Sequence, residues 1–348
     1  MKQILIFLIP MLAFQAVKGR KGNCGIAIAI DEPYIKNHFK GQENLEDQSV
    51  IKALKSIVEN MVKKLNDIYN QVDEVPIFFI QEIWLFKDFI PNSLDRDAVL
   101  NELTKYGTSQ FCIVHLLTYR DFQDGLQGYA YNSICQHGNT GFTTALNNQK
   151  NTPKDFVKLA FAHEVGHNLG ALHDGQRKKD GRPENNCKKS GFLMGASIEN
   201  ETDKLSKCSK DQIRMNLQKM RPRYKDCLAQ QPIENYSICG DKKVEGNEEC
   251  DCGVSFTDCN DPCCYASTIS PEDLSLNKSA TPCRTHQAPR CIKPYLNPLL
   301  FSIAYPFLFI VSAVLILAVA LTIDWKTKKI FFTHVTETNV RIETAVNA

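Results

Sequence analysis

From Ser49 to Tyr69 apolar residues return at every third or fourth position: Ile51, Leu54, Ile57, Val58, Met61, Val62, Leu65, Ile68 and Tyr69, with lysines and acids between them. That period predicts a long amphipathic helix laid over a sheet. The neighbouring segments carry a different pattern. Gly25–Asp31, Val75–Phe86 and Phe111–Thr118 are nearly continuous apolar runs, which predict buried strands. His115 falls inside the third run and reads as a packed core histidine rather than a ligand. Gly125–Tyr131 is apolar but punctuated by glycine, as an exposed edge strand beside a cleft would be. An extended peptide can pair with such an edge through its main chain. Thr152 suits an N-cap and Pro153 a first helical turn, so a helix is expected there, burying Phe156, Leu159, Ala160 and Val165. Ser209-Lys-Asp-Gln212 has capping-box form, with Ile213, Leu217 and Met220 as the stripe behind it.

Two uninterrupted hydrophobic stretches frame this pattern. Residues 1–19 combine Lys2, an apolar run from Ile4 to Phe14, and small residues at Ala16 and Gly19, which predicts a signal peptide. Leu299–Ile323 carries no charge and, at about 25 residues, is long enough for a bilayer core of about 30 Å. Trp325, Lys326, Lys328 and Lys329 follow as interface anchor and positive flank, leaving 324–348 as a cytoplasmic tail. The glycosylation sequons at Asn200, Asn235 and Asn277 all precede the span. The expectation is a single-pass type I protein of the cell membrane, its catalytic part outside.

Composition adds the redox setting. The chain holds 14 cysteines, crowded in its second half, which implies disulfides and an oxidising compartment. After Cys227 a short linker, 229–236, leads into 237–291, a segment with too few apolar residues to fold around an oil-like core. It must be stapled; a second zinc site there is the rival reading, and the compartment argues against it. A net charge of +2 gives no reason to expect nucleic acid.

The chemistry concentrates in Phe161–Asp174. His163 and His167 stand four apart, on one face of a helix, where two imidazoles can share one Zn²⁺. Glu164 follows the first ligand without being one, Gly170 ends the helix, and the turn returns His173 as a third ligand. Three protein nitrogens leave a fourth coordination position free, the arrangement of a catalytic zinc. The full H-E-x-x-H-x-x-G-x-x-H string is the metzincin signature, and Met194 in Gly191–Gly195 supplies the Met-turn such proteins need. The reading is a zinc peptidase with Glu164 as general base.

Together the His163–Asp174 motif, the Met194 turn and the Cys239–Gly253 opening resemble the ADAM family, membrane-anchored adamalysin metalloproteases with a disintegrin-like domain. Tyr119–Ala130 and Thr140–Ala145 resemble its Kuzbanian and alpha-secretase sheddase branch. The resemblance implies an α/β metzincin domain over 20–228, built on a mixed five-stranded sheet with helices, and a shortened disintegrin-like domain over 237–291. It implies the pairs Cys24–Cys112, Cys135–Cys227 and Cys187–Cys208. It further implies protein substrates, chiefly membrane-anchored ones, and hence ectodomain shedding. The chain departs from the family where only a few residues separate the signal peptide from Cys24: either this form folds without the family's pro-segment or the sequence is a shortened gene product. It departs again where the disintegrin-like part stops early, which weakens the case for integrin binding. Glu245, Glu249 and Asp251 offer carboxylates for a Ca²⁺ or for plain solvation. The competing function is a catalytically silent surface protein that binds through the disintegrin-like region. Against it stands the intact set of three histidines and Glu164.

Overall fold

The computed structural model describes residues 22–40, 44, 47–87, 89, 94–176, 187, 191–196, 202–233, 235–286, 291 and 310–329. The signal peptide, Asn200, 299–309 of the expected span and 330–348 of the tail lie outside them. Residues up to Cys291 form one compact unit and those from Ile292 a second.

Strands β1 (Asn23–Asp31), β2 (Ile77–Phe86), β3 (Ile113–Thr118), β4 (Gly128–Ala130) and β5 (Thr140–Thr144) make the expected mixed sheet. A sixth strand, β8 (Ser237–Cys239), extends it, giving the order β4-β5-β3-β1-β2-β8. Only β4 runs antiparallel to its neighbour. The sixth strand was not expected, because it comes from the cysteine-rich segment beyond the linker. A small hairpin, β6 (Leu146–Asn147) and β7 (Lys150–Asn151), stands apart.

Both faces of the sheet are buried, as a mainly parallel sheet requires. Ile26, Ile28 and Ile30 of β1 point to one core; Ala27 and Ala29 point to the other. In β2 the register slips beside Gln81, so one residue is left over. The slip lets Phe78 and Ile80 face the same core as Ile83 and Leu85, while Trp84 and Phe86 turn to the opposite one. The first core is closed by α2 (Gln48–Tyr69), α4 (Lys154–Asn168) and α5 (Lys207–Met220). Helix α2 buries Val50, Ile51, Leu54, Val58, Met61, Val62, Leu65, Ile68 and Tyr69, the stripe its period predicts with Ile57 only partly covered. Two shorter helices, α1 (Glu32–His38) and α3 (Arg96–Lys105), follow β1 and β2.

Helix starts differ from expectation in two places. Helix α4 begins at Lys154 with Pro153, in extended backbone, as its N-cap. Thr152 lies one step earlier, its N–H donating to the Ala145 carbonyl at 2.9 Å, and α4 has no side-chain cap. Val157 is buried in that first turn where Phe156 was expected and is only half covered. Helix α5 is capped by Ser206, whose Oγ accepts from the Ser209 N–H at 3.0 Å, rather than starting at Ser209.

Seven disulfides use all the cysteines: 24–112, 135–227, 187–208, 239–283, 250–264, 252–259 and 263–291. With every thiol paired, no cysteine zinc site exists. A final short helix, α6 (Pro271–Leu276), belongs to the stapled segment. In the second unit, helix Ile310–Lys329 has a mean hydropathy of 1.8 and is long and apolar enough to cross a membrane.

Candidate active site

Helix α4 carries His163 and His167 one turn apart, and the chain reverses behind them. Gly170 adopts φ +98°, a left-handed conformation that costs other residues strain. Its N–H bonds to the His167 carbonyl and the Ala171 N–H to the Gly166 carbonyl, both at 2.9 Å. The reversal delivers His173 to the other two rings. The three Nε2 atoms stand 3.1 Å from one another. His163 Nδ1 donates to the Leu193 carbonyl at 2.6 Å and His167 Nδ1 to the Ala171 carbonyl at 2.8 Å. A neutral imidazole has one N–H, so those two rings turn bare Nε2 lone pairs towards the same point.

Burial favours that neutral form. It draws the His163 imidazole well below its ordinary range and His167 down to about 4, with the neighbouring histidines adding to the effect. His173, less enclosed, is lowered in the same direction by burial. Lone pairs this close repel unless a cation lies between them. A tetrahedral zinc with bonds of about 2.0–2.1 Å spaces its nitrogens about 3.3–3.4 Å apart. The observed 3.1 Å spacing fits that ion closely.

Glu164 lies beside this cluster, 5% exposed, with burial holding its carboxyl well above the ordinary range. Its Oε2 has no hydrogen-bond partner among the described residues. Edge strand β4 passes directly over it: a Cβ at Gly128 would stand 2.6 Å from Glu164 Oε1. The glycine-punctuated edge strand is thus in contact with the acid, and among the described residues its outer edge is unpaired because β4 ends the sheet.

Met194 is fully buried beneath α4, its thioether against Gly166. The same turn supplies Leu193 O to His163 and Met194 O to the Asp174 N–H at 2.7 Å. Asp174 then accepts from the hydroxyls of Ser206 (2.7 Å) and Ser209 (3.1 Å), locking the loop that carries His173 to α5. Other supporting residues escaped the sequence reading. Tyr69 reaches from α2 to donate to the Ala162 carbonyl at 2.8 Å. Asn168 donates to the carbonyls of Tyr131 (2.8 Å) and Thr140 (3.1 Å), tying the helix to the edge strand. Tyr69 could be read only as part of a helical stripe; Asn168 was visible as a polar residue beside a ligand.

Other sites named from the sequence fall elsewhere. His115 is sealed in the core, its Nε2 2.8 Å from Thr143 Oγ1 and its ring against Phe161. Asn235 is exposed. Asn277 is half-buried with its amide nitrogen donating to the Tyr265 hydroxyl at 3.2 Å. Of the acids weighed for calcium, Glu249 is taken up by Thr285 and Glu245 stands 3.5 Å from Lys55. Asp251 accepts the N–H groups of Gly240, Asp241, Lys242 and Gly253, building a turn.

Residues 51–219 match the family model described as Metallo-peptidase family M12B Reprolysin-like. Over that stretch the chain resembles the ADAM, or adamalysin, metalloproteases. Disintegrin and metalloproteinase domain-containing protein 10 of Bos taurus is 32% identical over 211 residues, covering 52% of this chain and 27% of that protein. Zinc metalloproteinase-disintegrin-like brevilysin H2a of Gloydius brevicauda is 27% identical over 285 residues, 74% of this chain and 62% of that protein. The Caenorhabditis elegans homologue of the first is 25% identical over 335 residues, 77% of this chain and 35% of its own length. The chain therefore spans less than two thirds of the length of each of these relatives.

Proposed function

We propose that this ADAM-like chain is a zinc metalloendopeptidase that cuts extracellular or membrane-anchored proteins. The observation that carries the reading is the meeting of three histidine Nε2 atoms, 3.1 Å apart, beside a buried carboxyl with a free oxygen. His163, His167 and His173 would hold the ion. Bound there, Zn²⁺ supplies a Lewis acid for the scissile carbonyl and acidifies a water.

The remaining steps belong to the chain. The outer edge of β4 aligns an extended substrate by main-chain hydrogen bonds. Glu164 Oε2 takes the proton of the attacking water and returns it to the leaving amine. A carboxyl with raised proton affinity suits the second task, since it must hold the proton until the nitrogen needs it. Met194 and Tyr69 support the helix from below. The layout proposed is a metalloprotease part over 20–228, a linker over 229–236, a disintegrin-like part over 237–291 and a span near 299–323. A type I orientation and ectodomain shedding follow from that layout, because sharing a membrane with the substrate raises its effective concentration. Glu245, Glu249 and Asp251 are the proposed Ca²⁺ position; beside them burial first, and then Asp251, Asp241 and Glu245, push the Glu248 carboxyl up to about 8.

The test is Glu164→Gln in the full chain. Peptide cleavage should fall by about 10²–10⁴-fold, the contribution usual for a general base, with zinc content unchanged. Cleavage at the unaltered rate, or absence of stoichiometric zinc in the folded protein, ends the reading.

A further inference from the structure

We propose that the stapled segment Ser237–Thr285 is an intramolecular clamp, completing the metalloprotease sheet so that the two parts fold as one cooperative unit. Strand β8 pairs in parallel with β2, placing Ser237 opposite Glu82, Ile238 opposite Ile83 and Cys239 opposite Trp84. Ile238 enters the first core and Cys239 the second. The second core is shared: Trp84, Phe86, Phe89, Tyr106 and Phe111 from the protease part pack with Tyr265, Ile269, Leu274, Ala280 and the Cys239–Cys283 bridge. A buried aromatic covers about 150–250 Å². Baring three of these rings would open about 450–750 Å², as much as the whole of the largest patch, about 300–600 Å², usual on a soluble monomer. Helix α3 brings only Val99, Leu100 and Leu103 to that face.

Polar contacts fix the docking. Glu82, wholly buried on β2, is gripped by the Arg284 guanidinium and by Trp84 Nε1 at 2.9 Å. Without Arg284 it would be a buried carboxylate lacking its counter-ion, an arrangement the sheet does not tolerate cheaply. Gly107 N–H donates to Ala280 O at 2.6 Å, Gln110 to Thr281 Oγ1 at 2.8 Å and Lys87 N–H to Thr268 Oγ1 at 2.9 Å. A side chain at Gly107 would collide with the segment, since a Cβ there would stand 2.8 Å from Ser279 O. These contacts join the two parts by packing, hydrogen bonds and ion pairs, without a disulfide. Three disulfides lie within 24–227 and four within 239–291, and none crosses between them.

That separation supplies the test. A site-specific protease sequence is inserted between Gln231 and Pro232, both exposed, and the folded full chain is cut there. The pieces should co-elute as one species in native, non-reducing buffer, part only in denaturant, and melt in one transition. Separation with loss of the amino-terminal piece's near-ultraviolet circular dichroism also supports the clamp. Separation that leaves that piece monomeric and folded overturns it. A second measurement uses the unaltered chain: amides of Ser237–Cys239 should exchange hydrogen as slowly as those of Ile113–Leu117. Exchange about 100-fold faster would mean the segment opens by itself and would overturn the proposal. Neither readout involves zinc or peptide cleavage.

Discussion

At Gly128 a Cβ would stand 2.6 Å from Glu164 Oε1 and 2.9 Å from its Cδ, so Gly128→Ala must displace either the edge strand or the acid. Cleavage should fall at least about tenfold, the change that accompanies about 1.4 kcal/mol of lost transition-state stabilisation, with little effect on the melting temperature. Gly166→Ala should behave differently. Its Cβ would stand 2.6 Å from Tyr69 Oη and press on the buried Met194 thioether. Overpacking of that kind costs about 1–3 kcal/mol, readable in a denaturant titration. His115 gives a pH prediction that does not involve the three clustered histidines. Burial takes its imidazole down from 6.5 to about 3, so the unfolded chain binds more protons there than the folded one. Its contribution is complete above pH 6.5 and lost as pH falls towards 3. A His115→Gln variant should therefore lose less stability than the parent between pH 6.5 and 4, measured as paired thermal melts. The histidine's presence in a strand was legible from the sequence; its complete enclosure was not, because that depends on Phe161 arriving from another element.

Among the elements, α2 was legible almost to the residue, since one period ran unbroken for 22 residues and packing obeyed it. Helix α4 was legible at its carboxyl end, where Gly170 dictates the reversal, and misplaced at its start, where Pro153 rather than Thr152 is the N-cap. The edge strand β4 proved only three residues long, yet it lies where its glycines suggested. What joins these two elements is Asn168. Asn168→Ala would remove the side-chain donor from the Tyr131 and Thr140 carbonyls, which keep the N–H groups of Ser133 and Tyr131, at a cost of about 0.5–1.5 kcal/mol for each bond lost. Because Tyr131 closes the edge strand, KM for peptide should rise while zinc content holds. A fall in zinc content with KM unchanged would show that Asn168 serves the ligands instead.

For the whole molecule, the boundary drawn at the linker understates how the chain is assembled. The stapled segment looked independent because it is poor in apolar residues and closes its own disulfides. Its few apolar side chains nevertheless enter a core whose larger part belongs to the protease part. Arg284→Gln should thus destabilise the catalytic half, by about 3–5 kcal/mol if Glu82 is left buried and unpaired. Chemical denaturation followed through the buried Trp84 would measure it. A Glu82→Gln, Arg284→Gln double variant should recover part of the loss, because no uncompensated charge then remains.

Local order along the chain was enough to specify the amphipathic helix, the buried strands, the ligand spacing on α4 and the glycine that turns His173 back. Each of those depends on neighbours within one or two turns. The sixth strand, the pairing of cysteines in 239–291, the shared aromatic core and the supports of the site from Tyr69, Leu193 and Asn168 were settled only by tertiary structure. They arise between residues distant in the chain, and a linear pattern does not say which distant surface will cover which. Burial then does the rest, holding the histidines neutral and the Glu164 carboxyl protonatable where they meet.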